Sequence, residues 1–303
     1  MLSLQGVEIM KIPLIVAFAT IPFGLTHAVS LINLNFSGSM TAIERQTFID
    51  AADYWNSTIT NYDLIYDGAG NITPHGLTIT ASVVPIDGVN GILGSAGPDT
   101  VTYYDNNPTG TATVALNYTT TGSMQFDSAD VAALTASNTF YGVVLHEMGH
   151  VLGLGTLWTF NNNVGGTTYP LYTVGSGQYT GPNALARWKS EFSQPSATFV
   201  PVELGGGGGT ANGHWNENDG GGGTTGFVSN LFGKDFSTEL MTGWASSSFF
   251  VSQVTLGGLD DLGYIVDYSK AGLVDHIVTV PEISSLVLCL GALPWLMRRR
   301  RSA

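Results

Sequence analysis

Val143-Val144-Leu145-His146-Glu147-Met148-Gly149-His150-Val151-Leu152-Gly153-Leu154-Gly155-Thr156-Leu157-Trp158 places two histidines four positions apart, with a glutamate beside the first. On a helix His146 and His150 leave the same face one turn apart and can bind one ion. That is half a zinc site. Zinc lowers the pKa of a water it holds towards about 7. A carboxylate at Glu147 is close enough to take the proton as that water attacks a polarised carbonyl. The apolar run Tyr141 to Leu145 supplies a buried approach, and Val151 and Leu152 continue the helix past the second histidine. Gly153 and Gly155 are where the helix can stop and the chain turn sharply, because glycine adopts positive φ without steric penalty. A third ligand has to come from beyond that turn.

Two later segments bear on it. Gly213-His214-Trp215-Asn216-Glu217 holds the one histidine downstream of the helix other than His276, and Glu239-Leu240-Met241-Thr242-Gly243-Trp244 is similar to the methionine turn beneath the zinc of metzincin peptidases. In the common metzincin pattern the third histidine follows the glycine by three residues, where this chain has Thr156. The order of segments from Phe126 to Tyr268 resembles the bacterial relatives of leishmanolysin, in which a long insertion separates the glycine turn from the third histidine. The resemblance implies that His146, His150 and His214 are metal ligands, Glu147 the catalytic base and Met241 a structural floor.

From the residues alone the third ligand stays open. Glu203, Glu217 and Glu191 are carboxylate alternatives, and Glu217 is also suited to bond the free nitrogen of a ligand histidine. Two glycine runs, Gly205 to Gly209 and Gly220 to Gly223, bracket His214. They read either as a domain boundary or as the neck of a lobe, Asn161 to Asn212, that returns His214 to the metal. The lobe accounts for the His-Trp pair between the runs. It contains a helical stretch, Asn183 to Phe192.

Both ends of the 303-residue chain read as processing signals. Met10 is an alternative start to Met1; from it a lysine, the apolar run Ile12 to Leu25 and Thr26-His27-Ala28 have the layout of a secretory signal peptide spanning residues 1–28. Val280-Pro281-Glu282, the apolar run Ile283 to Met297 and Arg298 to Arg301 resemble a PEP-CTERM sorting signal, with Ile283 in place of its second proline. That resemblance implies export across the inner membrane of a Gram-negative bacterium, transient inner-membrane association, and an exosortase-type partner that removes residues 281–303. The positive-inside rule gives the same orientation; a retained C-terminal anchor is the alternative.

The expected peptidase domain, residues 29–280, has five basic residues against 21 acidic ones, a net charge of −16. Such an acidic surface argues against nucleic-acid or anionic-lipid partners. Cys289, the sole cysteine, lies in the sorting signal, so the domain has no disulfide, unlike eukaryotic leishmanolysins, and no cysteine nucleophile or thiol latency switch.

The rest of the chain reads as α+β, and the resemblance implies a metzincin-like zincin with a mixed, mostly N-terminal sheet, a central active-site helix, here beginning at Phe140, and a C-terminal subdomain carrying the methionine turn. Leu31 to Phe36 alternates as a first strand, and Thr41 with Glu44 three residues on reads as a cap before a helix whose apolar face carries Ile43, Phe48, Ala51, Ala52 and Trp55. Asp63 to Gly70 and Leu77 to Val84 read as a hairpin or strand pair, Gly88 to Pro98 as a loop, and Thr111 to Tyr118 as a strand. That strand or its neighbour is the edge that would pair with an extended substrate. His75 sits in a turn and reads as a surface residue. Asp127 and Asp130 are of a type that binds calcium, but carboxylates three apart more often cap a helix start, and a structural calcium ion has no further support. Val254 to Tyr264 reads as a last helix ended by Gly263, with Tyr264 in the core or near the zinc.

The expected activity is that of an exported zinc endopeptidase acting on protein or peptide substrates. A surface or biofilm-matrix binding protein that retains a zincin fold is the alternative from another class, and hydrolysis of a cell-wall peptide or other amide would use the same residues.

Overall fold

The computed structural model describes residues 31–62, 76–105, 114–160, 162–164, 167–218, 223–246 and 248–274. Both terminal signals, Asp63 to Gly70, His75, His276 and Cys289 lie outside the described residues. Among those described, no helix is long and apolar enough to cross a membrane.

Strand β1 (Ile32–Ser37) leads into helix α1 (Ala42–Thr58), then β2 (Ile59–Tyr62), β3 (Leu77–Val84), β4 (Gly94–Asp105) and β5 (Val114–Asp127). Two helices follow, α2 (Val131–Ala136) and α3 (Phe140–Leu152). Short strands β6 (Asn162–Val164), β7 (Thr167–Tyr169) and β8 (Gln178–Tyr179) precede α4 (Pro182–Glu191) and β9 (Val200–Pro201). The chain closes with β10 (Phe250–Val251), α5 (Gln253–Asp261), β11 (Tyr264–Val266) and β12 (Gly272–Leu273).

The molecule is therefore mixed α and β around a central sheet. β1 and β5 both run parallel to β3, from Ile32↔Leu77 and Thr78↔Thr121 onward. β4 runs antiparallel to β5, from Gly94↔Phe126 to Asp105↔Ala115, and pairs with no other described strand. The segment expected to be a loop up to Pro98 thus already belongs to a strand from Gly94. Register shifts around Thr100 and the missing N–H of Pro98 fit an edge position. β5, bonded on both sides, is internal, so the available edge is its neighbour β4. β3 bonds β1 on one side and β5 on the other, both parallel to it, and its expected partner segment, Asp63 to Gly70, lies outside the described residues.

Helix α1 starts as its sequence dictates. The Glu44 amide donates to Thr41 Oγ1 at 3.2 Å, and the Thr41 amide donates back to the Glu44 carboxylate at 2.6 Å. Its buried face carries Phe48, Ala51, Ala52 and Trp55, whereas Ile43, expected on that face, is exposed in the first turn. Phe48 meets Phe126 and Phe140 edge to face at 5.3 and 5.9 Å, and the Trp55 indole donates to the Leu145 carbonyl at 3.2 Å. Helix α3, apolar around nearly its whole circumference, is buried on all sides, with only His146 partly exposed.

Asp130 is not the side-chain cap of α2 that its position suggested. Its Oδ1 accepts the Asn90 amide at 3.0 Å, while Asp127 accepts the amides of Asp87 and Gly88 at 2.8 Å and of Ala129 at 2.9 Å. Those backbone bonds, Ala129 foremost, hold the Asp127 carboxyl down at about 2. Both aspartates pin the loop that delivers β4 to the site.

The last helix is shorter than expected. Ser252 caps α5, Gly263 turns at φ 97°, and Tyr264 opens strand β11. Tyr264 is a core residue: its hydroxyl donates to the Leu152 carbonyl at 3.0 Å and its ring packs on Tyr62 and Tyr118. Asp261 reaches across to the start of α4, accepting the amides of Asn183 and Ala184 at 2.7 and 3.0 Å.

Candidate metal centre

His146 and His150 project from α3 as their spacing requires, and His214 arrives from 64 residues further on. Their Nε2 atoms form a triangle with sides of 3.0, 3.0 and 3.1 Å. These three are the one group of His, Cys, Asp and Glu residues among the described ones with the proximity to hold a metal ion.

The backs of the rings decide what the fronts can do. His146 Nδ1 lies 2.6 Å from the Leu240 carbonyl, His150 Nδ1 2.8 Å from that of Leu154, and His214 Nδ1 2.8 Å from that of Thr210. A carbonyl only accepts, so each Nδ1 carries the proton and each Nε2 turns a lone pair inward. Burial holds all three imidazoles neutral, pushing His146 down to about 3 and His214 well below its ordinary value. Three acceptors at 3.1 Å or less, those of His150 and His214 buried and that of His146 half-buried, repel one another until a cation stands among them. Zinc–nitrogen bonds of about 2.0–2.1 Å at tetrahedral angles put ligand nitrogens about 3.3 Å apart. The triangle fits that ion.

Glu147, on the next position of α3, is 7% exposed, and its carboxylate makes no hydrogen bond among the described residues. A side chain added at Gly94, the first residue of β4, would meet its Cγ at 3.2 Å, so Glu147 lies where the edge strand meets the helix. Burial pushes its carboxyl up to about 8. A divalent cation nearby acts in the opposite direction, favouring the carboxylate.

The helix ends as expected, at Gly153 with φ 116°. Gly155 has a second, unforeseen role. With φ 76° it lies so close to the His214 segment that a Cβ there would stand 2.0 Å from the Gly213 carbonyl oxygen. Gly155→Ala combines a left-handed backbone, costing about 1–2 kcal/mol, with a clash that only a backbone shift at Gly213 relieves. Affinity for a metal ion at the triangle is expected to fall at least about tenfold and the unfolding temperature by several degrees, read by isothermal and differential scanning calorimetry. Unchanged affinity would show that the two segments are not coupled. Thr156, in the place where the common metzincin pattern has histidine, donates to the His150 carbonyl at 2.7 Å.

The His214 segment is held from both sides. The Glu203 amide donates to the His214 carbonyl at 2.9 Å, and the Asn212 amide to that of Glu203 at 2.7 Å. The Trp215 amide donates to the Met241 carbonyl at 2.9 Å. The Trp215 ring stacks on Trp158 with centroids 4.6 Å apart, a contact worth about 0.5–1.5 kcal/mol beyond burial. Gly206, Gly207 and Gly209 all take positive φ, so the first glycine run is a set of tight turns.

Met241 lies beneath the centre. Its Sδ would be 2.8 Å from a Cβ on Gly149, between the two helical histidines, so only glycine admits it there.

The three alternative carboxylates lie outside the triangle. Glu191 accepts from Ser229 Oγ at 2.7 Å and the Gln253 amide at 2.8 Å, and Glu203 accepts from the Gly205 amide. Glu217 accepts from the Gly243 amide at 3.2 Å rather than from a histidine, because carbonyls already occupy every Nδ1. Burial pushes Glu217 up to about 7, and Glu203 adds to the rise.

What sequence reasoning missed is Glu239. It was visible only as the first letter of the methionine-turn segment, yet it is fully buried with both oxygens engaged. Burial pushes its carboxyl up to about 7.

No protein-family model matches the chain, and no curated protein matches it.

Proposed function

We propose that the chain is a zinc-dependent endopeptidase of metzincin type, similar to the bacterial leishmanolysin relatives, and that His146, His150 and His214 hold the ion. The observation that carries this reading is the inward convergence of three unprotonated Nε2 atoms beside a buried carboxylate that makes no hydrogen bond among the described residues. When bound, zinc supplies a Lewis acid that polarises a carbonyl and makes water a nucleophile near neutral pH.

The protein's own residues do the rest. Glu147 takes a proton from the attacking water and returns it to the departing amine, and the low-dielectric wall around it raises the basicity needed for the first transfer. The carbonyls of Leu240, Leu154 and Thr210 fix the tautomer and tilt of the three rings. The edge of β4, whose first residue leaves no room for a side chain beside Glu147, is suited to take an extended peptide as an added strand. Export as a signal-bearing precursor, with C-terminal sorting and removal, is part of the same proposal and rests on the terminal sequences.

The test is casein hydrolysis by the purified protein, abolished by a chelator and restored by one equivalent of zinc. A protein that binds zinc and cleaves neither casein nor a peptide library would be a binding protein on a zincin scaffold.

A further inference from the structure

We propose that Glu239 is a positioning residue of the metal centre: a single buried carboxylate that sets two of the three ligand histidines and the methionine beneath them. The proposal rests on the metal-site reading above and adds the device that holds the site together.

Glu239 Oε2 accepts the Met241 amide at 2.6 Å. Oε1 accepts the Ser252 amide at 3.0 Å, Ser252 Oγ at 2.8 Å and Thr255 Oγ1 at 2.6 Å. The first bond closes the turn Glu239-Leu240-Met241. That turn presents the Leu240 carbonyl to His146 Nδ1, the Met241 side chain to Gly149, and the Met241 carbonyl to the Trp215 amide.

The other arm runs through Thr255. Its hydroxyl has one proton, which goes to the carboxylate, so its lone pairs are left to accept the Trp215 indole N–H at 2.9 Å. Trp215 follows His214 directly. The carboxylate therefore sets the back of His146 through one arm and the neighbour of His214 through the other. A glutamine at this position keeps the shape but turns an NH2 group towards the Met241 amide if its oxygen stays with Ser252 and Thr255, so one arm is lost.

The experiment is cobalt titration of the metal-free, full-length protein, following affinity and visible absorption, with circular dichroism to check folding. Glu239→Gln and Thr255→Val are expected to weaken cobalt binding by roughly 10–100-fold and to alter the absorption bands. Thr255→Ser, which restores the hydroxyl, is expected to recover wild-type binding. Glu191→Gln serves as the control, since that buried carboxylate bonds Ser229 and Gln253 and touches none of the ligand backs. It is expected to change stability and leave cobalt affinity unchanged.

Wild-type affinity in both Glu239→Gln and Thr255→Val would overturn the proposal, as would equal weakening by Glu191→Gln. If Glu239→Gln does not fold, the Thr255 pair decides the matter. A wild-type protein that binds no cobalt would remove the metal reading itself, and this inference with it.

Discussion

Glu147→Gln is expected to lower peptide hydrolysis by about 10²–10⁴-fold while the protein keeps its zinc. Glutamine matches glutamate in size but cannot take a proton, and Glu147 is not one of the three residues that meet in the triangle. Metal content by atomic absorption should therefore be unchanged while turnover collapses. Hydrolysis at the wild-type rate would place the base elsewhere.

The same substitution has a signature in stability. Burial pushes the folded pKa of Glu147 up to about 8, above the unfolded value of 4.5. A raised pKa contributes stability that is fully present below pH 4.5 and is lost as pH rises through about 8. Glutamine does not titrate, so in the metal-free state the variant should gain on the wild type as pH rises from 4 to 8. A gap in unfolding temperature that did not change over that interval would show that the carboxyl is not desolvated as described.

Metal removal is the second large effect. On the proposed reading zinc binds the folded triangle, whereas the unfolded chain scatters the three histidines over 69 residues of sequence, from His146 to His214. At a free zinc concentration about 1,000 times its Kd the ion adds about 4 kcal/mol to the folded state. For a domain of this size that corresponds to roughly 8–16 °C in unfolding temperature. Chelation should remove this increment, and His214→Ala should prevent zinc from restoring it. If His214→Ala responded to zinc like the wild type, the third ligand would have to be sought among other residues.

Much of the centre could be read from adjacent letters. His146 and His150 share a face because helices repeat every 3.6 residues, and the helix stops at Gly153 because a residue without a Cβ takes φ 116° freely. Thr41 and Glu44 announced α1 for the same reason: a cap is a contact between near neighbours. Readings that crossed a longer stretch were less accurate. The spacing of Asp127 and Asp130 suggested a helix start or a calcium site, and the carboxylates were taken instead by amides about 40 residues earlier. Glu217 had the chemistry to bond a ligand histidine, yet the carbonyls of Leu240, Leu154 and Thr210 already occupied those nitrogens. Carbonyls are present at every residue, so no pattern of side chains marks which will be used.

By itself the sequence determined that His146 and His150 share a helix face with Glu147 beside them, and the turn after the helix, since local geometry allows few alternatives within one helix and its end. It left the third ligand open among one histidine and three glutamates. Only the tertiary structure decided that His214 completes the triangle, through Gly155 against Gly213, Trp215 on Trp158, and Glu239 behind Met241. Those contacts join residues 57 and 58 positions apart or rest on a single buried carboxylate, and their energies exist only once the chain is packed.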